Sequence, residues 1–533
     1  MKSPLVCRMK PYIQPFERVL ALAELRTLAK TDPQPLDEQP GNPIQFTVPP
    51  GVKLTSLTRH LAYWEMIEAD HAHLTTQVLR ERTVNVVRNG VAPEEIPQLL
   101  KAGEIGLPNR RCLRYGTHGI HEYRGKFFPQ LVRSLINIAA VPARGIVADP
   151  MCGSGTTCVE AVLGGYRAIG LDMNPLSVLM ARVKCALLSV DPDVLTGAYE
   201  HLRAQLIRPA GKRAARLTYF ASLPERDQEY LSAWFSEQVL QDLDDIARAI
   251  QHTDIPVREF FWICLSNILR SVSWQKDDDL RVRKEARLDA EIDPIREFLE
   301  EMGRSVRVVL AFLHHNKGNS LGSYGIDEGD ARHLTTPWSK CRGKIDAIIT
   351  SPPYATALPY LDTDRLSLCY LGLLSRPSHR KRDHDMIGNR EISERQRVMY
   401  WKLFESQRKM LPESVSELIQ KVDTLNAGTE VGFRRRNLPA LLTKYFTDMQ
   451  QVFEGIKHVL RPGCPAYVVI GNNHTIAGGE RVEIETARLL TGIASELGLK
   501  VEGRIPMEML VSRDIFRNNA VASEEILCFR NER

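Results

Sequence analysis

The spacing of apolar and polar positions changes several times along this chain. Residues 60–87 carry apolar side chains at helical spacing and are expected to form a helix. Residues 31–52, rich in Pro, Gly and Gln, are expected to form a loop or linker. From about residue 110 the pattern alternates. Residues 128–140 read as a helix, 145–149 as a short buried strand ending in an acid, and 150–155 as a Gly-rich turn. Residues 156–163 read as a second helix, 167–172 as another acid-terminated strand, and 175–187 as a third helix. Strand, turn, helix and strand in this register open a doubly wound α/β sheet.

Residues 188–318 break the alternation with long amphipathic stretches, notably 229–250 and 257–272, and a charged run at 276–287. They are expected to form a helical insertion. Short α/β elements return at 326–333 and 345–350. A second, basic, mostly helical insertion is expected at 376–436. An amphipathic helix at 440–460 then ends at Arg461-Pro462-Gly463, followed by a strand at 466–471, a helix at 485–497 and a closing strand at 525–529. No internal repeat is visible.

Composition narrows the class. A chain of 533 residues exceeds one ordinary core and points to two or three units. No apolar run is long enough to span a bilayer, and residues 1–10 lack the apolar core of a secretory signal, so the expected home is the cytoplasm, with no membrane partner. The ten cysteines are scattered, with no Cys/His cluster at zinc-ligand spacing, so neither a disulfide framework nor a metal site is expected. Net charge is only +5, yet 376–436 holds 14 Lys/Arg against 9 Asp/Glu, a surplus of 5 equal to that of the whole chain. Such a stripe suits a phosphate-contacting surface and is sharpest at Arg434, Arg435 and Arg436; a solvated helical face would look the same by charge alone.

Two turns carry candidate chemistry. In Asp149-Pro150-Met-Cys-Gly153-Ser-Gly155-Thr156, glycines allow backbone to approach a ligand where a Cβ would clash. The turn lacks the Lys-Ser/Thr of a triphosphate loop and the full dinucleotide fingerprint. Asp172 follows Asp149 at about the spacing, roughly 20 residues, at which an acid meets ribose hydroxyls. A ligand with a cationic centre, an amino-acid end and a ribose suits two such acids, and S-adenosylmethionine is that ligand. In the second turn, Ser351-Pro352-Pro353-Tyr354 follows a buried strand. Two prolines stiffen the backbone and remove two N–H donors. The Ser351 hydroxyl and the Pro352 carbonyl can accept hydrogen bonds from an exocyclic amine, and Tyr354 offers a ring on which an extruded base can stack.

Together these turns resemble the amino-methyltransferases of DNA, the N4-cytosine and N6-adenine family, whose D-P-x-x-G-S-G-T turn binds the methyl donor and whose S/D/N-P-P-Y/F/W turn holds the target amine. The resemblance implies further site residues. The segment His121-Glu-Tyr-Arg-Gly-Lys126-Phe127-Phe128-Pro129 looks like the motif closing over the methionine end of the cofactor. Asp172-Met-Asn174-Pro looks like the ribose-binding strand end, and Gly329-Asp330 the strand end whose acid meets the adenine amine. The resemblance covers roughly 115–190, 322–372 and 440–533, but neither the first hundred residues nor the insertions.

The implied architecture is a class I methyltransferase sheet with two largely helical insertions and an N-terminal extension. Its expected units are 1–110, an extension of unassigned role; 111–190, the cofactor half of the core; 191–320, a helical insertion; 321–375, the catalytic half; 376–439, a basic insertion for target recognition; and 440–533, the rest of the core. Ser at the first position of the second turn looks like N4-cytosine enzymes, which implies site-specific methylation of double-stranded DNA from S-adenosylmethionine and leaves a cognate restriction enzyme open as partner. The cofactor turn precedes the catalytic one, whereas S-P-P-Y enzymes often show the reverse order. No Pro-Cys dipeptide is present, which excludes the C5-cytosine mechanism. N6-adenine methylation, methylation of an RNA base amine, and a nucleic-acid-binding protein on a degenerate methyltransferase fold stay open as alternatives.

Overall fold

The computed structural model describes residues 3–36, 44–88, 91–102, 106–123, 125, 128–207, 217–253, 257–276, 283–285, 292–316, 320–355, 360–427, 431–508 and 523–532. Five short strands open the chain: β1 (Leu5–Met9), β2 (Gln34–Pro35), β3 (Gln45–Val48), β4 (Trp64–Glu68) and β5 (Ala72–Leu74). They form an antiparallel sheet in the order β2-β3-β1-β4-β5.

This corrects two expectations. The helix expected over 60–87 is two strands followed by the short helices Thr76–Arg82 and Val84–Arg88. Pairing of Ile67 with Cys7 and of Met66 with Arg8 overrides the local helical spacing, because β1 supplies backbone partners that an isolated short helix could not. The linker expected over 31–52 contains β2, exposed at the sheet edge, and β3, which pairs with β1 and buries Phe46 and Val48.

This sheet is built onto the rest of the molecule. Phe16, Leu20 and Trp64 share one apolar core with Leu131 and Leu135 of the helix Pro129–Ile138. Buried polar groups tie the same faces. The Glu24 carboxylate accepts from the N–H groups of Ala62 and Tyr63 and from the Asn137 amide, and Glu81 accepts from Lys10 and Gln130.

The main sheet contains β6 (Ile146–Asp149), β7 (Arg167–Asp172), β8 (Tyr324–Glu328), β9 (Ala347–Thr350) and β10 (Pro465–Gly471). After the hairpin β11 (Asn473–Ala477) and β12 (Glu480–Ile484) come β13 (Leu499–Glu508) and β14 (Ser523–Asn531). The order is β13-β14-β10-β9-β6-β7-β8. Strands β10, β9, β6, β7 and β8 are parallel, and β14 runs antiparallel between β10 and β13. The continuous apolar runs of β9 and β10 are what strands covered on both faces require. The order reverses between β6 and β9, so a ligand crevice opens at their carboxyl ends. The doubly wound sheet expected from the sequence is therefore present.

Both insertions are helical. The first contains Pro192–Ile207, Glu225–Ser232, Glu237–Gln251, Val257–Ile268 and Pro294–Asn316. The single helix expected over 229–250 is two, because the Ser236 hydroxyl caps a new start by accepting from the Val239 N–H at 3.3 Å. Most of the charged run 276–287 lies outside the described residues. The second contains Arg376–Asp385, Glu394–Gln407 and Glu413–Ala427. The helix expected from 440 instead spans Phe433–Val459, with Pro439 inside it. Proline cannot bond the Arg435 carbonyl one turn back, and the Asn426 amide donates to that carbonyl at 3.0 Å. Among the described residues, no helix is long and apolar enough to cross a membrane.

Candidate active site

The Asp149–Thr156 turn joins β6 to the helix Thr156–Leu163, and its shape depends on glycine. Gly153 and Gly155 sit at φ +47° and +83°. A Cβ on Gly155 would lie 2.6 Å from the Ala181 Cβ, and one on Gly153 would lie 2.9 Å from the Tyr123 ring. The first glycine thus lets two helices approach, and the second keeps backbone at the cleft wall. The Cys152 N–H donates to the Leu171 carbonyl, which ties the turn to β7.

A cleft of about 730 Å³, partly open to solvent, lies at the carboxyl ends of these strands. Pro150, Gly153, Thr156 and Asp172 line it on one side, and Ser351 and Pro353 on another. The cofactor turn and the Pro-Pro turn, 195 residues apart from Thr156 to Ser351, therefore share one space. Asp172 is held by the N–H groups of Gly153 and Asn174, both at 2.8 Å. Burial still pushes its carboxyl up to about 6, and Asp149, deeper under the turn, up to about 7. Carboxyls raised by desolvation gain most from a cationic, hydroxyl-bearing ligand.

S-adenosylmethionine fits this space. The Ser154 hydroxyl lines the cleft, buried and without a partner among the described residues, and Asp172 floors the cleft below the glycine turn.

Several expected site residues lie elsewhere. Lys126 and Phe127 lie outside the described residues. Phe128 precedes the helix Pro129–Ile138, with the Arg111 guanidinium over its ring. Asn174 caps the helix Pro175–Ala186 through the Leu176 N–H and donates to Asp364 at 2.8 Å. Asp330 does not line the cleft, although its neighbours Gly329 and Ala331 do. Its carboxylate is held by Arg332, which also reaches Asp448 at 3.1 Å. Arg434, Arg435 and Arg436 are exposed on the first turn of Phe433–Val459, with Arg434 paired to Glu391 at 2.9 Å.

The second turn is gripped from both sides. Pro352 is buried and Ser351 half-buried. The Tyr354 hydroxyl donates to the Glu524 carboxylate at the start of β14. Opposite, Gly388 at φ +75° comes so close that a Cβ would lie 2.8 Å from the Pro353 Cβ.

Residues not anticipated from the sequence complete the cleft. Tyr123 and Met173 flank the cofactor side, and Met386 and Ile387 of the basic insertion contribute a wall. Tyr123 lies inside the segment 121–129 that the resemblance expects to close over the cofactor, so its signal was present. Nothing in the sequence around Met386 distinguishes it from its helical surroundings.

The strand order, with an antiparallel strand set between two others at one end of a parallel sheet, and a glycine turn over an acid-floored cleft define a class I methyltransferase that takes S-adenosylmethionine as methyl donor. The model of the RMKL-like methyltransferase domain matches residues 121–204. The type II methyltransferase M.MvaI of Kocuria varians is 24% identical over 375 residues, 67% of this chain and 77% of its own. The type II methyltransferase M.BsoBI of Geobacillus stearothermophilus is 22% identical over 431 residues, 74% and 81% of the two chains. A tRNA (guanine(10)-N2)-dimethyltransferase of Methanothermobacter thermautotrophicus is 38% identical over 52 residues, 10% of this chain and 16% of its own. The solved structure of TrmN from Thermus thermophilus matches with TM-score 0.31 at 10% identity, covering 99% of each chain, and at that score the strand order carries the fold assignment instead. The resemblance to the DNA amino-methyltransferases drawn from the two turns stands with these relatives.

Proposed function

We propose that this methyltransferase acts on double-stranded DNA and methylates the exocyclic N4 amine of cytosine at a specific site. The observation that carries the reading is that Ser351 and Pro353 open into the same cleft as Gly153 and Asp172. An amine held at the Pro-Pro turn would therefore meet whatever the glycine turn holds. The type II methyltransferases that span most of this chain favour DNA, and Ser at position 351 favours cytosine.

When bound, S-adenosylmethionine supplies an electrophilic methyl on a sulfonium that leaves without protonation. The residues of the chain do the rest. Ser351 and the Pro352 carbonyl accept from the target amine and draw its nitrogen lone pair out of the ring plane. Tyr354 stacks the base, which must leave the duplex to reach the cleft. The low exposure of the turn keeps these contacts in a fixed geometry. Asp172 holds the ribose and Gly153 the backbone approach. The exposed arginines 434–436 contact phosphates, and a cognate restriction enzyme belongs to this reading.

The test is mass spectrometry of nucleosides from duplex DNA treated with enzyme and S-adenosylmethionine. N4-methylcytosine is the expected product. N6-methyladenine alone keeps the chemistry and overturns the base, and methylation confined to RNA overturns the substrate. The short tRNA-enzyme match makes that last outcome a specific alternative.

A further inference from the structure

We infer that Glu524 is a positioning residue for methyl transfer, holding the direction of the Tyr354 side chain from β14; this rests on the reading of Tyr354 as the base-stacking residue. Glu524 comes from β14, which is 170 residues beyond Tyr354 and is the antiparallel strand of the sheet. It pairs across the sheet with Gly471, the last residue of β10, so its carboxylate stands at the carboxyl edge where the cleft opens. The Tyr354 hydroxyl donates to it. Burial raises the Glu524 carboxyl, and the tyrosine hydrogen bond opposes that rise, so the pair is made inside the protein and is little competed for by water.

A second contact from the same edge supports the assignment. The Asn473 amide, two residues past β10, donates to the carbonyl of Ala355, the residue after Tyr354. On the other side, Gly388 presses on the carbonyl of Tyr354, where a Cβ would lie 2.9 Å away. The two prolines fix the backbone before the tyrosine, and Asn473 and Gly388 fix it after. These backbone contacts do not set the direction of the side chain. A hydrogen bond at the tip of the ring sets that direction and with it the place of the stacking face. No proton transfer is assigned to Glu524.

The test compares Tyr354→Phe, Glu524→Ala, Glu524→Gln and the double variant Tyr354→Phe/Glu524→Ala. Single-turnover transfer of labelled methyl to unmethylated duplex DNA is measured beside calorimetric affinity for S-adenosylhomocysteine. Glu524→Ala should slow transfer by about tenfold or more, the scale of a misoriented reacting pair, with cofactor affinity unchanged. Glu524→Gln should recover most of the rate, because the amide oxygen still accepts from the tyrosine. The double variant should be no slower than the slower single one. Multiplying effects in the double variant, a wild-type rate in Glu524→Ala, or a loss matched by weaker cofactor binding would each overturn the inference. The base methylated by the wild type tests the functional reading, whereas this cycle is a ratio between variants on whichever base amine is the product, so the two failures are distinguishable.

Discussion

The Arg382 guanidinium donates a 2.6 Å hydrogen bond to the carbonyl of Met173, so the basic insertion grips the strand end that holds the cleft-lining Asp172. The same group reaches Glu328 at the end of β8. Arg382→Ala should weaken S-adenosylmethionine binding by about 0.5–1.5 kcal/mol, a modest figure because the side chain is partly exposed. Calorimetric titration decides it, and an affinity equal to wild type would separate the insertion from the cofactor site.

Asp172→Ala should weaken cofactor binding by about 1–3 kcal/mol, the cost of a charged hydrogen bond. Its carboxyl is raised to about 6, so the ionised acceptor is depleted as pH falls through that value. Affinity for S-adenosylhomocysteine should therefore be flat above pH 7 and decline below about 6. A flat profile down to pH 5 would show that Asp172 does not accept from the ligand.

Ser351→Ala should reduce turnover more than duplex affinity, because its hydrogen bond is proposed to strengthen as the nitrogen leaves the ring plane. Tyr354→Ala should cost about 1–3 kcal/mol of stacking while cofactor affinity is retained. Steady-state kinetics beside calorimetry on both variants checks the division.

The buried Glu160 offers a prediction about stability. Burial alone would raise its carboxyl, but Arg133 and His118 hold it down at about 2. It accepts from Arg133 at 2.8 Å, from Tyr115 at 2.7 Å and meets His118 at 2.9 Å. A lowered folded value means that its contribution is complete above the unfolded carboxylate range and is lost as pH falls from about 4 to about 2. Glu160→Gln leaves Arg133 buried without its charge partner and should cost about 3–5 kcal/mol. Urea unfolding at pH 7 measures this, and the deficit should shrink toward pH 2.

The three arginines at 434–436 are not equivalent. Arg434 is already paired with Glu391, whereas Arg435 and Arg436 have no ion pair among the described residues. Replacing these two should lower the salt slope of duplex binding by about 1.8, at about 0.9 per phosphate contact, and replacing Arg434 should change it less. An unchanged slope in the double variant would move the duplex to another face.

The sequence revealed the sheet where local and long-range forces agree. The runs ending at Asp149, Asp172, Thr350 and Gly471 have apolar centres, as buried parallel strands must, and each was legible. Strands β4 and β5 were not, because β4 pairs with β1, more than 50 residues earlier, and β5 adds to the sheet only through β4. The hairpin β11–β12 turns on Gly478 and Gly479, both with positive φ, a signal that was present but not read. Of the site, both turns were visible as short contiguous motifs. Asp330 shows where such reading stops. Its position at a strand end is evident, but that its carboxylate is taken up by Arg332 depends on Asp448, brought close only by folding.

Met386 and Ile387 belong to the insertion by sequence and to the methyl-donor cleft by position, and Lys444 holds the Met386 carbonyl at 2.9 Å. The segment is thus not an interchangeable cassette. Grafting 376–436 onto another sheet would carry part of a cofactor wall with it, and deleting it would leave that wall open. On the reading of this insertion as the target-recognition unit, changes in target preference and in affinity for the methyl donor are inherited together.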